Sequence, residues 1–219
     1  MRIVIAGGHG KISLRLAKVL ATRGVDVLGL IRNPDHTLDV EAAAARPVLI
    51  DLEKAATGDV ARALAGADAA VFAAGAGPGS GVARKYTVDK GGSVLLADAA
   101  ENAGVRRFLQ ISSMGAGQPP AADADEVWEA YIDAKTQAED DLRARDLDWT
   151  IVRPGRLLDV PGTGRVTLTA GPAAPGAVPR EDVAAVLAEL LLTGRGTRTT
   201  LELTEGDTPV GDAVAQQEH

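Results

Sequence analysis

Three short stretches hold side chains whose types and spacing can do chemistry: Gly7-Gly8-His9-Gly10-Lys11-Ile12-Ser13, Ser112-Ser113 and Tyr131-Ile132-Asp133-Ala134-Lys135. In the last of these, a tyrosine and a lysine four residues apart share one helix face. An ammonium beside a phenol makes the hydroxyl easier to ionise, so that it can give or take a proton near neutrality. A serine hydroxyl close by can hydrogen-bond the oxygen of a reacting carbonyl, and the same lysine can hold a ribose. Spacing alone does not decide, because Tyr86 also has a lysine four residues on, Lys90. Position separates them: Tyr131 follows the double serine on the next helix, whereas Tyr86 precedes it.

The glycine stretch admits two registers, G-x-G-x-x-S from Gly8 and G-x-x-G-x-x-S from Gly7. Glycines let a backbone turn sharply and approach a pyrophosphate, while the helix that follows offers free N–H groups and a positive dipole end. The last position of the pattern serves helix–strand packing, and there a small Ser13 is a tolerable departure. A strand before and an amphipathic helix after favour nucleotide binding over a plain strand-to-helix turn. About 20 residues further on, where a site for NAD carries an acidic residue, stands Arg32. Its guanidinium suits the 2′-phosphate of NADP, with a solvated surface arginine as the alternative. NADP(H) is therefore the expected cofactor and NAD(H) the second choice.

These stretches need elements that gather strand ends. RIVIAG reads as a buried strand, and Lys11 to Arg23 as a helix with Ile12, Leu16, Val19 and Leu20 on one face, ended by Gly24. VDVLGLIR, PVLIDL, ADAAVFAAG, RFLQISS and DWTIVRPG follow as strands, with helices near 54–65, 82–103 and 124–145. A helix over 180–192 precedes a last strand, TLELTEG. Strand and helix in alternation imply right-handed crossovers and a parallel sheet covered on both faces. In such sheets the ligand crevice lies outside the carboxyl ends of the strands, where Asp51-Leu52, Ala73-Ala74-Gly75, Ser112-Ser113 and Pro154-Gly155 fall. The Gly- and Pro-rich stretch Arg156–Pro179 reads as loops around a short hairpin beside the site, not as a second domain.

Composition narrows the chemistry. With no cysteine, thiol nucleophiles, disulfides and Cys-zinc or iron–sulfur sites are out. Three histidines make a His-rich metal site a poor reading, and no metal is expected. A net charge of −7 speaks against nucleic acid. No apolar run is long enough to span a bilayer, and a cytoplasmic location without a membrane partner is the expectation.

Taken together, GGHGKIS, Arg32, Asp51-Leu52, AAGAG, ISSMGA, YIDAK and IVRPG resemble an atypical short-chain dehydrogenase/reductase. Within that superfamily they are most similar to the small NAD(P)H-binding bacterial proteins related to flavin/biliverdin reductases and to epimerase-like domains. The resemblance runs over nearly the whole chain, PREDVAAVLAELL included. It implies a Rossmann-type doubly wound parallel sheet in three αβα layers. One NAD(P)-binding domain would span 1–219, with a very small C-terminal substrate-side extension over 156–179.

Carried across by that resemblance, Gly7, Gly8, His9, Gly10, Lys11 and Ile12 border the pyrophosphate, and Arg32 takes the 2′-phosphate. Asp51 and Leu52 border adenine, Ala73, Ala74 and Gly75 the adjoining ribose, and Pro154 and Gly155 the nicotinamide. Ser113, with Ser112 second, orients substrate, Tyr131 is the acid/base and Lys135 its partner. The activity implied is NADPH-dependent reduction of a small carbonyl, quinone or flavin-like acceptor by a monomer or homodimer whose partner is a small molecule. Two alternatives remain at this point: an epimerase or dehydratase holding NAD tightly, and a non-catalytic redox sensor.

Overall fold

A computed structural model describes residues 1–77, 79–119 and 124–218. Apolar runs without alternation build the strands at its centre: β1 (Arg2–Ala6), β2 (Asp26–Ile31), β3 (Arg46–Leu49), β4 (Ala69–Phe72), β5 (Arg107–Ile111) and β6 (Asp148–Pro154). In β1, Ile3 and Ile5 face one hydrophobic cluster and Val4 and Ala6 the other, all at most 1% exposed. A strand stretch buried on both faces has to be apolar at successive positions, as Ile3 to Ala6 of β1 are. Helices α1 (Lys11–Thr22) and α7 (Arg180–Thr193) pack together over one face, and α3 (Thr57–Leu64) and α5 (Gly91–Ala103) over the other. No helix among the described residues is long and apolar enough to cross a membrane.

With β7 (Arg156–Leu158), β8 (Arg165–Thr169), β9 (Ala177–Pro179), β10 (Thr199–Glu205) and β11 (Thr208–Pro209) added, the main sheet runs β11-β8-β10-β6-β5-β4-β1-β2-β3. It is the expected Rossmann-like, doubly wound sheet, parallel from β3 through β10. The order reverses between β1 and β4, the switch point at which such sheets open a ligand crevice.

Several elements differ from the sequence-based expectation. No hairpin forms within Arg156–Pro179. Instead β7 pairs in parallel with β9, while β8 runs antiparallel to β10 and β11 at the edge of the main sheet. The reason lies in side-chain alternation: in β8 only Val166 and Leu168 are buried, the pattern of an antiparallel strand with one wet face. A short helix, α2 (Thr37–Ala42), fills the β2–β3 connection, too brief to show a helical period in the sequence. The helix expected over 82–103 is broken into α4 (Val82–Arg84), a π-helical turn over Lys85–Lys90, and α5. A last helix, α8 (Val210–Ala215), lay outside the reading altogether.

Helix α6 (Glu126–Arg143) opens with Asp125 capping the Trp128 N–H, and it carries Tyr131 and Lys135. One buried carboxylate pins it to the sheet. Glu139, fully buried, accepts hydrogen bonds from Ser112 Oγ (2.5 Å), Arg143 (2.6 Å) and both nitrogens that Arg153 offers (2.9 and 2.6 Å). The bond to Glu139 holds the Arg153 guanidinium above its usual pKa in spite of burial. Removing one partner of such a network strands the others. Glu139→Ala is expected to lower unfolding free energy by about 3–5 kcal/mol in urea denaturation, whereas Asp140→Ala, on the wet side of the same helix, should cost well under 1 kcal/mol as an exposed pair.

Candidate functional site

The phosphate end of the crevice is made by backbone. Gly7 has φ +81°, and a Cβ there would stand 2.6 Å from Ala74 Cα, so the end of β1 crosses the end of β4 with no room for a side chain. Gly8 meets a different neighbour: its Cβ would lie 2.6 Å from Gly29 Cα in β2. The Gly7 register therefore places the turn, and Gly8 serves the close approach of that turn to β2. Gly10 caps α1 without a side-chain hydrogen bond, and no acidic residue occupies the first turn. The N–H groups of Lys11, Ile12 and Ser13 thus open a helix N-terminus to an anion. Ser13 is 1% exposed and its hydroxyl has no partner among the described residues, the state of a small packing residue. This cradle of glycine backbone and unclaimed amides fits a pyrophosphate. Lys11 turns its ammonium away, to Asp159 (2.6 Å), which also takes Arg180 (2.9 Å). The Lys11 bond holds the Asp159 carboxyl below the usual carboxylate range.

Beside the cradle lies a cleft of about 380 Å³ whose walls include Arg32, His36, Asp51, Leu52, Glu53 and Arg84, with Ala73, Ala74 and Gly75 also lining it. That volume, near the low end of the ~300–1,000 Å³ usual for ligand sites, suits one half of a dinucleotide. Glu53 gathers Arg84 (2.7 Å), Thr87 (2.7 Å) and Arg32 (3.2 Å). Arg84 and Thr87 hold its carboxyl below the ordinary glutamate pKa. The two guanidiniums share Glu53 at this rim, and Asp51 is a second carboxylate in the wall. His9 stacks on His36, ring centroids 3.6 Å apart, and meets Asp39 at 2.8 Å. Arg84, Glu53 and His36 escaped the sequence reading because they meet only in space: Arg84 and Glu53 are 31 residues apart on different elements.

The reaction end lies beyond that cleft. The sequence left the two serines open, and their partners now differ. Ser112 is buried and donates to Glu139, whereas Ser113 is half-buried and its hydroxyl reaches, among the described residues, only the neighbouring Met114 carbonyl (3.2 Å). Met114 N–H donates to the Pro154 carbonyl at 3.1 Å, which sets Pro154 and Gly155 beside Ser113. Gly155 must be glycine, since a Cβ would fall 2.4 Å from the Gly176 carbonyl oxygen.

Tyr131 is half-buried, its ring 5.5 Å from Lys85 Nζ, 5.8 Å from Lys135 Nζ and 5.4 Å from the Trp128 ring. Lys135, 4% exposed, pairs with Asp89 (3.2 Å) and donates to the Ile111 carbonyl (3.2 Å). Asp89, 1% exposed, also accepts from the Ala76 N–H at 3.0 Å. Tyr86 is differently employed: it donates to Asp133 (2.8 Å), a bond that raises the phenol above its usual pKa. Among the described residues no group of three or more His, Cys, Asp or Glu could hold a metal ion.

A sequence profile described as NAD(P)H-binding matches residues 7–193. The chain belongs to the NAD(P)H-binding family. The matched span opens on Gly7, the first residue of the cradle, and closes with the last residue of α7. Among members and relatives, a protein of Bacillus subtilis described as an uncharacterized sugar epimerase, YhfK, is 33% identical over 98% of this chain and 99% of its own length. A solved structure described as a putative NAD-dependent epimerase/dehydratase from Bacillus halodurans superposes with a TM-score of 0.90 at 33% identity, covering 99% of each chain. ChuY of Escherichia coli O157:H7, described as an anaerobillin reductase, gives 0.80 at 25% identity over 94% of this chain and 98% of its own. Within the NAD(P)H-binding family the chain is of the atypical short-chain dehydrogenase/reductase kind.

Gly7→Ala tests the cradle. The substitution has to push β4 back or distort the turn, and should lower stability by about 1–3 kcal/mol and weaken NADPH binding, read by fluorescence titration, at least about tenfold.

Proposed function

We propose that this protein is an NADPH-dependent oxidoreductase that reduces a small carbonyl, quinone or flavin-like acceptor, with Ser113, Tyr131 and Lys135 as its reaction groups. The observation that carries the reading is the contrast between its two tyrosines. Tyr86 has its hydroxyl committed to a carboxylate, whereas no hydrogen-bond partner for the Tyr131 hydroxyl occurs among the described residues, and two ammoniums flank its ring. A bound nicotinamide supplies the hydride. Gly7, Gly10 and the first turn of α1 would hold its pyrophosphate. Ser113 donates to the acceptor oxygen and orients it, and Tyr131 delivers the proton that the reduced oxygen needs. Lys135, fixed by Asp89 and the Ile111 carbonyl, keeps positive charge beside the phenol as that proton leaves.

The preference for NADPH rests on Arg32 and Arg84, the cations at the rim of the adenosine cleft. The descriptions of the two Bacillus relatives favour a second reading, an epimerase that uses a held cofactor transiently. Against it stands the short span between β6 and α7, which leaves little chain to build a nucleotide-sugar site.

With an acceptor panel of carbonyls, quinones and flavins, Tyr131→Phe should slow carbonyl-dependent NADPH oxidation by about 10²–10⁴-fold while the NADPH dissociation constant stays within about twofold. Unchanged turnover would remove Tyr131 from proton transfer, and cofactor that copurifies and is never consumed would favour the epimerase. In Arg32→Asp, NADPH binding should weaken about tenfold or more with NADH affected less; equal losses would take Arg32 off the 2′-phosphate.

A further inference from the structure

The π-helical turn over Lys85–Lys90 carries two buried charges, and only one is balanced. Asp89 is neutralised by Lys135. Lys85 is 8% exposed, yet its ammonium makes a single hydrogen bond, to the Gly77 carbonyl at 3.3 Å, and no carboxylate pairs with it among the described residues. Its other contact is the Tyr131 ring, 5.5 Å away. Other buried charges in the chain have opposite charges or several hydrogen bonds around them: Glu139 has two arginines and a serine, and Asp182 has Thr163 and Gly164 amides. Next to it in sequence, Arg84 reaches Glu53 on the opposite, adenosine side. Among the described residues two ammoniums and one carboxylate thus surround Tyr131, leaving one positive charge in excess where the acceptor must lie.

An ion taken out of water without a counter-ion costs several kcal/mol, and a carbonyl and a ring face recover only part of that. Stability does not select such an arrangement, whereas recognition of an anion does. π turns recur at functional sites for this reason, since the extra residue re-aims side chains that a regular helix would direct elsewhere.

We propose that Lys85 is the substrate-binding cation of this site and that the acceptor carries a carboxylate, which pairs with Lys85 while its carbonyl faces Tyr131 and Ser113. The excess charge is single, so a carboxylate balances it, whereas a phosphate dianion would replace one imbalance with another. The assignment rests on the reductase reading above but is tested by binding, which needs no turnover.

The full-length protein saturated with NADP⁺ is titrated calorimetrically with benzaldehyde, 4-carboxybenzaldehyde and 4-formylphenyl phosphate. The carboxylate should bind at least tenfold tighter than benzaldehyde. Lys85→Met should bring the two within twofold, and Lys85→Arg should keep most of the difference. A wild-type protein with no preference for the carboxylate, absence of detectable binding included, overturns the proposal, as does a preference that survives Lys85→Met. Tighter binding of the phosphate overturns the carboxylate assignment. Thermal melting of the ligand-free variants gives a second readout. Lys85→Met should melt no lower than wild type, while a drop of several degrees would mean that Lys85 is a structural tie to Gly77 and overturn its role. Carboxylate binding that depends on Lys85 without any NADPH consumption would leave this assignment standing and count against the reductase reading alone.

Discussion

The placement of Tyr131 and Lys135 depends on where α6 lies, and the buried carboxylate of Glu139 sets that. Tyr131, Lys135 and Glu139 follow one another at four-residue steps along one face of the helix. Glu139 closes the stripe by drawing Ser112 of the β5 end and Arg153 of β6 onto one group. Such a network is stable only when every member is satisfied, so it admits one depth and one rotation of α6. At that rotation Lys135 reaches Asp89 and the Ile111 carbonyl, and the Tyr131 ring is set beside the ammoniums of Lys85 and Lys135.

Charge is distributed unevenly over the chain. The molecule is acidic overall, at −7, yet lysines and arginines gather along the crevice: Lys11 and Arg180 near the phosphate cradle, Arg32 and Arg84 at the adenosine rim, Lys85 and Lys135 around Tyr131. On a molecule of net negative charge, cations gathered in one cleft focus the field there on entering anions.

How much of this was legible in the sequence follows from the range of the interactions. The six parallel strands and the glycine cradle were readable because local apolar runs and backbone demands determine them. Even the choice of register could be argued from Gly7, though only Gly29, twenty-one residues beyond Gly8, shows what Gly8 is for. The antiparallel strand β8 was misplaced because its partner, β10, lies across α7 in the chain, and nothing local announces that pairing. The choice between Ser112 and Ser113 could not be made from neighbouring residues, since it turns on a glutamate 27 positions away. The π turn was invisible for a related reason: a helix with one extra residue keeps the same composition, and only the packing of Lys85 and Asp89 against α6 reveals it.

The Asp159 bridge deserves a kinetic reading. It joins Lys11 at the phosphate cradle to Arg180 at the start of α7, so the strand pair β7–β9 is tethered to the place where a dinucleotide would lie. Lys11 and Asp159 are both substantially exposed, and ion pairs of that sort hold weakly and yield to salt. The tether therefore gives the C-terminal segment a resting position without adding much to a cofactor's residence time. A clasp of that kind can open and re-form without unfolding either element it joins.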